Sequence, residues 1–153
     1  MAAKDIIGFL KEWTTNHIKN KDIILKKLVS IESKDSYLIA TYKHKKQTFY
    51  IRPFLSNIDD ILKETNNTDH FSIVVFNTKE NFEFILKMWD KLANITFLSV
   101  YFVNPYAKDD KAWIIFPHTH SMVSDEASLK TGLKTMFEQV EPVDKANVEK
   151  MYS

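Results

Sequence analysis

Pro117-His118-Thr119-His120 sets two imidazoles two residues apart at the close of an apolar run, with Asp125 and Glu126 just beyond. Residues two apart on a strand-like segment face the same side. His118 and His120 would then bind one divalent metal, and a carboxylate from Asp125 would complete the set. Imidazole with oxygen donors suits a transition metal. The alternative is that both histidines bond loop backbone while Asp125 and Glu126 favour a helix start.

A second group lies in the polar stretch Lys43-His44-Lys45-Lys46-Gln47, with Tyr42, Tyr50 and Arg52 beside it. Ammonium groups neutralise phosphates and aromatic faces stack on bases, so Lys43, Lys45, Lys46 and Arg52 are candidates for nucleic-acid or anion contact. Lysine on an exposed hairpin equally serves to keep a sheet from aggregating. Arg52 is the only arginine, and arginine is the residue suited to bidentate phosphate and guanine contacts.

Other chemistries lack their motifs. Gly8 and Gly132 are the only glycines and neither follows a strand, so no phosphate-cradling loop forms and no Gly-x-Ser-x-Gly elbow exists. Without cysteine there is no disulfide framework, thiolate metal site or thiol nucleophile. Glu32, Asp59, Asp60, Glu64, Asp69, Asp109 and Asp110 fall on turns and helix starts, where solvated acids are ordinary.

Hydrophobic spacing defines the elements that must position these groups. Ile6, Leu10, Trp13 and His17 or Ile18 predict a helix over residues 4–19, punctuated by Asn20-Lys21-Asp22. Residues 23–33 suit either a helix or a short strand. Residues 37–42 and 48–52 are rich in aromatic and β-branched types and form a hairpin with a longer loop, ended by Pro53. Ser56 and Asp59 open a helix that Asn66-Asn67 stops.

Phe71–Phe76 and Ile95–Val103 are nearly continuous in apolar residues, the mark of strands covered on both faces. Thr78 caps a helix between them carrying Phe82, Ile85, Leu86, Trp89, Leu92 and Ala93. This βαβ unit makes the strands parallel with a right-handed crossover. Ala112–Phe116 pairs antiparallel with the strand before it. Ser124 caps a last long helix, in which Gly132 marks a close-packing point, and residues 144–152 form a short terminal one.

The expected fold is therefore α/β, with α+β as the alternative: one domain over residues 1–153 and a mixed, partly parallel sheet of about five strands with helices on both faces. The order of helix, meander and parallel crossover is similar to the restriction-endonuclease-like nuclease core. That resemblance implies an Asp on one strand and a Glu-x-Lys on the next, converging on a metal. The matching stretch here, Phe49-Tyr50-Ile51-Arg52-Pro53, contains no acid, and Glu32-Ser33-Lys34 has the spacing but precedes the hairpin.

Net charge is +1 over 153 residues, yet residues 1–52 carry 11 Lys and Arg against 5 Asp and Glu, and the remainder carry 10 against 15. Such asymmetry marks an anionic partner or simple mixing. The N-terminus meets charges before any signal-like apolar run, and no run reaches the roughly 20 residues of a spanning helix. A cytoplasmic location and no membrane partner are expected.

Aromatic residues make up 13% of the chain; Trp89, Trp113, Tyr101, Phe102, Tyr106 and Phe116 crowd its second half, chiefly as core with a surplus for an interface. The reading is a non-enzymatic binding or assembly domain with a protein partner or self-association. Its alternative is a metal-dependent enzyme acting on nucleic acid through His118, His120 and an acid.

Overall fold

A computed structural model describes residues 2–64, 70–108, 111–123 and 125–151. Helix α1 (Ala2–Leu25) precedes the meander β1 (Leu28–Ser33), β2 (Tyr37–Tyr42) and β3 (Lys46–Ile51). Then come α2 (Asp59–Glu64), β4 (His70–Phe76), α3 (Lys79–Lys87), α4 (Trp89–Ala93), β5 (Leu98–Val103) and β6 (Ala112–Ile115). Helices α5 (Pro117–Val123), α6 (Glu126–Gln139) and α7 (Lys145–Met151) complete the order.

The six strands lie side by side in chain order, β1 to β6, one strand more than expected. β1, β2 and β3 pair antiparallel, β3 with β4 and β4 with β5 pair parallel, and β6 returns antiparallel. Two successive crossovers that step the same way along a sheet with the same hand must lie on the same face. Accordingly Ile61 of α2, Phe82 and Ile85 of α3 and Leu92 of α4 join one core with Ile73, Val75, Val100 and Phe102. The opposite face is covered by Ile6, Leu10 and Ile18 of α1 and Val148 of α7, over Leu38, Phe49, Val74, Phe76 and Tyr101.

The ambiguous stretch 23–33 divides. α1 runs on through Leu25 because Asp22 does not break it; its carboxylate accepts the amides of Lys27 and Leu28 (2.8 and 2.9 Å) and turns the chain into β1. Lys26 takes the left-handed conformation that commonly ends a helix, at φ 51°. The helix expected as one piece from Thr78 to Ala93 is split at Met88, where φ −92° and ψ 8° leave the helical range. β5 begins at Leu98 rather than Ile95.

Asp125 caps α6 by accepting the Ser128 amide, taking the role assigned to Ser124, which lies outside the described residues with Asn66, Asn67, Asp69, Asp109, Asp110 and Tyr152. Gly132 is not a close-packing point: a methyl group added there would meet nothing within 4 Å. The Gly132 position faces open space, while Leu133 beside it is buried in the core.

α6 packs on one face of the sheet and α7 on the other, so residues 140–143 must cross its end. They do so over the C-terminal ends of β4 and β5. Asn77, the first residue after β4, donates from Nδ2 to the Val140 carbonyl (2.9 Å) and accepts the Trp113 indole N–H (2.8 Å). Its carbonyl accepts the Val143 amide (2.8 Å). Asn104, first after β5, donates to the Glu141 carbonyl (2.7 Å). Ligands of open α/β sheets usually bind beyond the carboxyl ends of parallel strands. Here that crevice is filled by the chain itself.

Candidate functional site

The opposite end of the sheet, where β3, β4 and β5 begin, carries a cavity of about 490 Å³. The second half of α1 roofs it with His17, Ile18, Lys21, Asp22 and Leu25; Tyr42 and Lys45 enter from the hairpin, Gln47 and Phe49 from β3, and Ser99 and Tyr101 from β5. Phe97 and Phe116 close the side toward β6. The volume falls in the range that holds small molecules.

Its floor is a chain of polar contacts between strands. Gln47 Nε2 donates to Ser72 Oγ (2.7 Å), and Ser72 Oγ lies 2.6 Å from Ser99 Oγ. Ser72 and Ser99 are direct cross-strand partners, so the parallel register itself makes the contact. Polar side chains on the inner face of a buried strand pair need such partners, since an unpaired hydroxyl there is costly.

The walls are aromatic and neutral. His17 stacks on Trp13 at 4.8 Å between ring centres and meets Tyr101 edge-on at 5.9 Å. Burial, then the charge of Lys21, holds the His17 imidazole below its ordinary pKa of 6.5. Burial, then the neighbouring Tyr42 phenol, pushes Tyr101 up to about 12. Tyr42 is raised by burial and by Asp22. Tyr42, Tyr101 and His17 are thus uncharged at neutral pH. Positive charge comes from Lys21, Lys27 and Lys45, against one carboxylate, Asp22, that already receives two backbone N–H groups. Lys45 Nζ sits 5.5 Å from the centre of the Tyr42 ring.

The buried His17 Nε2 has no hydrogen-bond partner among the described residues. A depressed folded-state pKa means the unfolded chain takes up the proton first, so stability falls as pH drops below about 6.5. His17→Phe keeps the ring stack and removes the titration. Urea midpoints compared at about pH 7.5 and pH 5 should fall more for the wild type than for this variant; parallel losses would place the pH dependence elsewhere.

The first sequence group is arranged differently from its expectation. Pro117–Val123 is a helix, not a strand end, so His118 and His120 project about 200° apart around it. His118 Nδ1 is 2.8 Å from the Ala93 carbonyl, and His120 Nδ1 is 3.0 Å from both the amide nitrogen and the carbonyl oxygen of Phe116. Asp125 is the α6 cap, its carboxyl held below the usual range by the Ser128 amide. Among the described residues, no group of three or more His, Asp or Glu side chains gathers as a metal site.

The second group is brought together only in part. Lys45 lines the cavity, Lys46 opens β3 as an exposed residue, and the Lys43 amide donates to the Lys27 carbonyl (2.9 Å), fixing the hairpin tip beside the end of α1. Arg52 lies six residues along from Lys46, on the order of 20 Å at strand rise. There it pairs with Asp60 (2.9 Å) and donates to the Ser36 and Ile51 carbonyls, a structural tie between the hairpin and α2. Sequence reading missed His17, Lys21, Lys27 and Ser99. The spacing of His17 and Lys21, four apart on a helix, was a usable signal; their convergence with Ser99 depends on the sheet register.

No protein-family model, curated protein or solved structure matches this chain. What defines its class is the fold and the site: an α/β protein with a mixed six-stranded sheet, its carboxyl-end crevice self-filled and a lysine-rimmed aromatic cavity at the other end.

Proposed function

We propose that this chain is a non-catalytic binding domain that takes a small anionic ligand bearing a planar ring into the cavity under α1. The lining carries the reading: aromatic walls, a hydrogen-bonding floor of Gln47 and Ser99, and the three ammonium groups of Lys21, Lys27 and Lys45 at one opening. Such a site contacts a ring by stacking and an anionic substituent by charge-assisted hydrogen bonds. His17, Tyr42 and Tyr101 serve as neutral polar contacts, since their shifts all favour the uncharged forms. A metal-dependent nucleic-acid enzyme using His118, His120 and Asp125 has less support, because α5 turns the two imidazoles to opposite sides and, among the described residues, no three His, Asp or Glu side chains gather as a metal site.

The test is calorimetric titration with inorganic phosphate, nucleoside monophosphates, aromatic carboxylates, the corresponding neutral nucleosides and a short single-stranded oligonucleotide. A ring-bearing anion should bind, and Lys21→Glu/Lys45→Glu should weaken it at least about tenfold, as losing two charge-assisted contacts requires. Both side chains lie at the cavity opening, and circular dichroism checks that the variant folds. Failure of every ring-bearing anion, or affinity indifferent to the double variant, would overturn the reading. Preference for the oligonucleotide would favour nucleic acid over a small ligand.

A further inference from the structure

The last turn of α1 ends in three consecutive aliphatic residues that nothing covers: Ile23 is 65% exposed, Ile24 89% and Leu25 64%. Val29, at the adjoining start of the edge strand β1, is exposed as well. These are not scattered surface residues. Leu25 forms part of the cavity lip with Phe97 and Phe116, both more than a third exposed, and Ile23 lines an adjacent shallow groove with Lys19, Lys26 and Leu28. An apolar patch of this kind marks an interaction surface.

The patch is set in one sign of charge. Lys19, Lys21, Lys26 and Lys27 surround it on α1 and the turn after it, and the bond from the Lys43 amide to the Lys27 carbonyl brings the hairpin tip with Lys43, Lys45 and Lys46 alongside. Residues 36–58 contain no Asp or Glu, and Asp22 is engaged by the amides of Lys27 and Leu28. The positive excess of the first 52 residues is thereby gathered at one end of the fold.

We infer that this end docks on an anionic membrane surface, Ile23, Ile24 and Leu25 entering the headgroup boundary while the surrounding lysines meet lipid phosphates and carboxylates. Lysines around an aliphatic tip match the composition of surface-lying membrane contacts. Protein interfaces instead favour Trp, Tyr and Arg and are depleted in Lys. Self-docking of the patch would bring two lysine fields together, and nucleic acid gives aliphatic tips no apolar partner. The absence, among the described residues, of a helix able to cross a membrane bears on spanning and not on lying against a surface.

Leu25, Lys21, Lys27 and Lys45 border both the patch and the cavity, but Ile24, Lys19 and Lys26 do not line the cavity, so substitutions there separate docking from cavity binding. The experiment is co-sedimentation of the full chain with phosphatidylcholine vesicles, with and without about 30% phosphatidylserine, at low and high salt. Partitioning should rise at least about tenfold with the anionic lipid and fall as salt is added. Ile24→Asp and, separately, Lys19→Glu/Lys26→Glu should each reduce it about tenfold or more, while leaving the fold and the titrations of the cavity unchanged. No binding to the anionic vesicles, or equal binding to neutral ones, overturns the inference. So does binding that survives Ile24→Asp. Sedimentation velocity run alongside adds one more contrary result: a dimer that Ile24→Asp dissolves, with no vesicle binding, would assign the patch to self-association.

Discussion

Asn77→Ala should cost on the order of 4 kcal/mol of folding stability, because it strands two buried polar groups at once. The Trp113 indole N–H loses its acceptor and the Val140 carbonyl loses the Asn77 Nδ2 donor. Asn77 itself is fully buried, so water cannot replace either bond without opening the structure. For a chain of this length the loss lowers Tm by roughly 10 °C. Urea unfolding followed by tryptophan emission measures it directly. A cost below about 1 kcal/mol would mean that the 140–143 segment is held by its apolar anchors Val140 and Val143 rather than by the amide. Asn104→Ala is the internal comparison: its Nδ2 bond to the Glu141 carbonyl and its Oδ1 bond to the Tyr106 amide lie at a part-buried edge, so its loss is smaller.

Asn77 also shows where sequence reading stops. The parallel pair β4–β5 was legible because continuous apolar runs flanking an amphipathic helix leave little choice of topology. The hairpin was legible from its aromatic and β-branched strands. Nothing local to Val140-Glu141-Pro142-Val143, however, says that it crosses the strand ends, since its partners Asn77 and Asn104 stand 37 to 66 positions away. The junction of α1 and β1 was hidden for a different, local reason, since its contacts span only five and six positions. Asp22 reads as a helix breaker; it is the group that lets the helix continue and then turn, by accepting two amides beyond it.

The candidate site was legible in its residue types more than in its position. Lys45 and Tyr42 were marked by the hairpin's composition, but their neighbours Lys21 and Lys27 belong to the preceding helix and turn, and only the docking of α1 across the sheet brings them near. His118-Thr119-His120 went the other way. The pattern is a sound one on a strand, and the segment after Pro117 turns helical, which separates the two rings and gives each a backbone partner. Proline at the first helical position is favourable, because its missing N–H has no intrahelical role there. Pro117 was thus an initiation signal as much as a strand stop.

Phe102→Ala should be about as damaging as the loss of Asn77, by a different route. The ring is fully buried, stacks on Trp113 at 4.4 Å between centres with an 11° interplanar angle, and meets Phe82 edge-on at 6.3 Å. Truncating a buried phenylalanine loses its transfer energy and leaves a cavity that neighbours close only in part, for a cost of about 3 to 5 kcal/mol. Collapse is hard here, because Trp113 is tethered by its bond to Asn77 and Phe82 is stacked on Phe137 at 4.9 Å. Phe102 lies on the face of the sheet away from α1, while Ser99 and Tyr101 present the intervening face of β5 to the cavity. The variant should therefore unfold at lower urea yet, where folded, bind vesicles and cavity ligands as the wild type does. Loss of those contacts at temperatures where circular dichroism still shows the native fold would mean that the two faces of the sheet are coupled through β5. A stability change under about 1 kcal/mol would mean that Trp113 relaxes into the space, which its tether to Asn77 opposes.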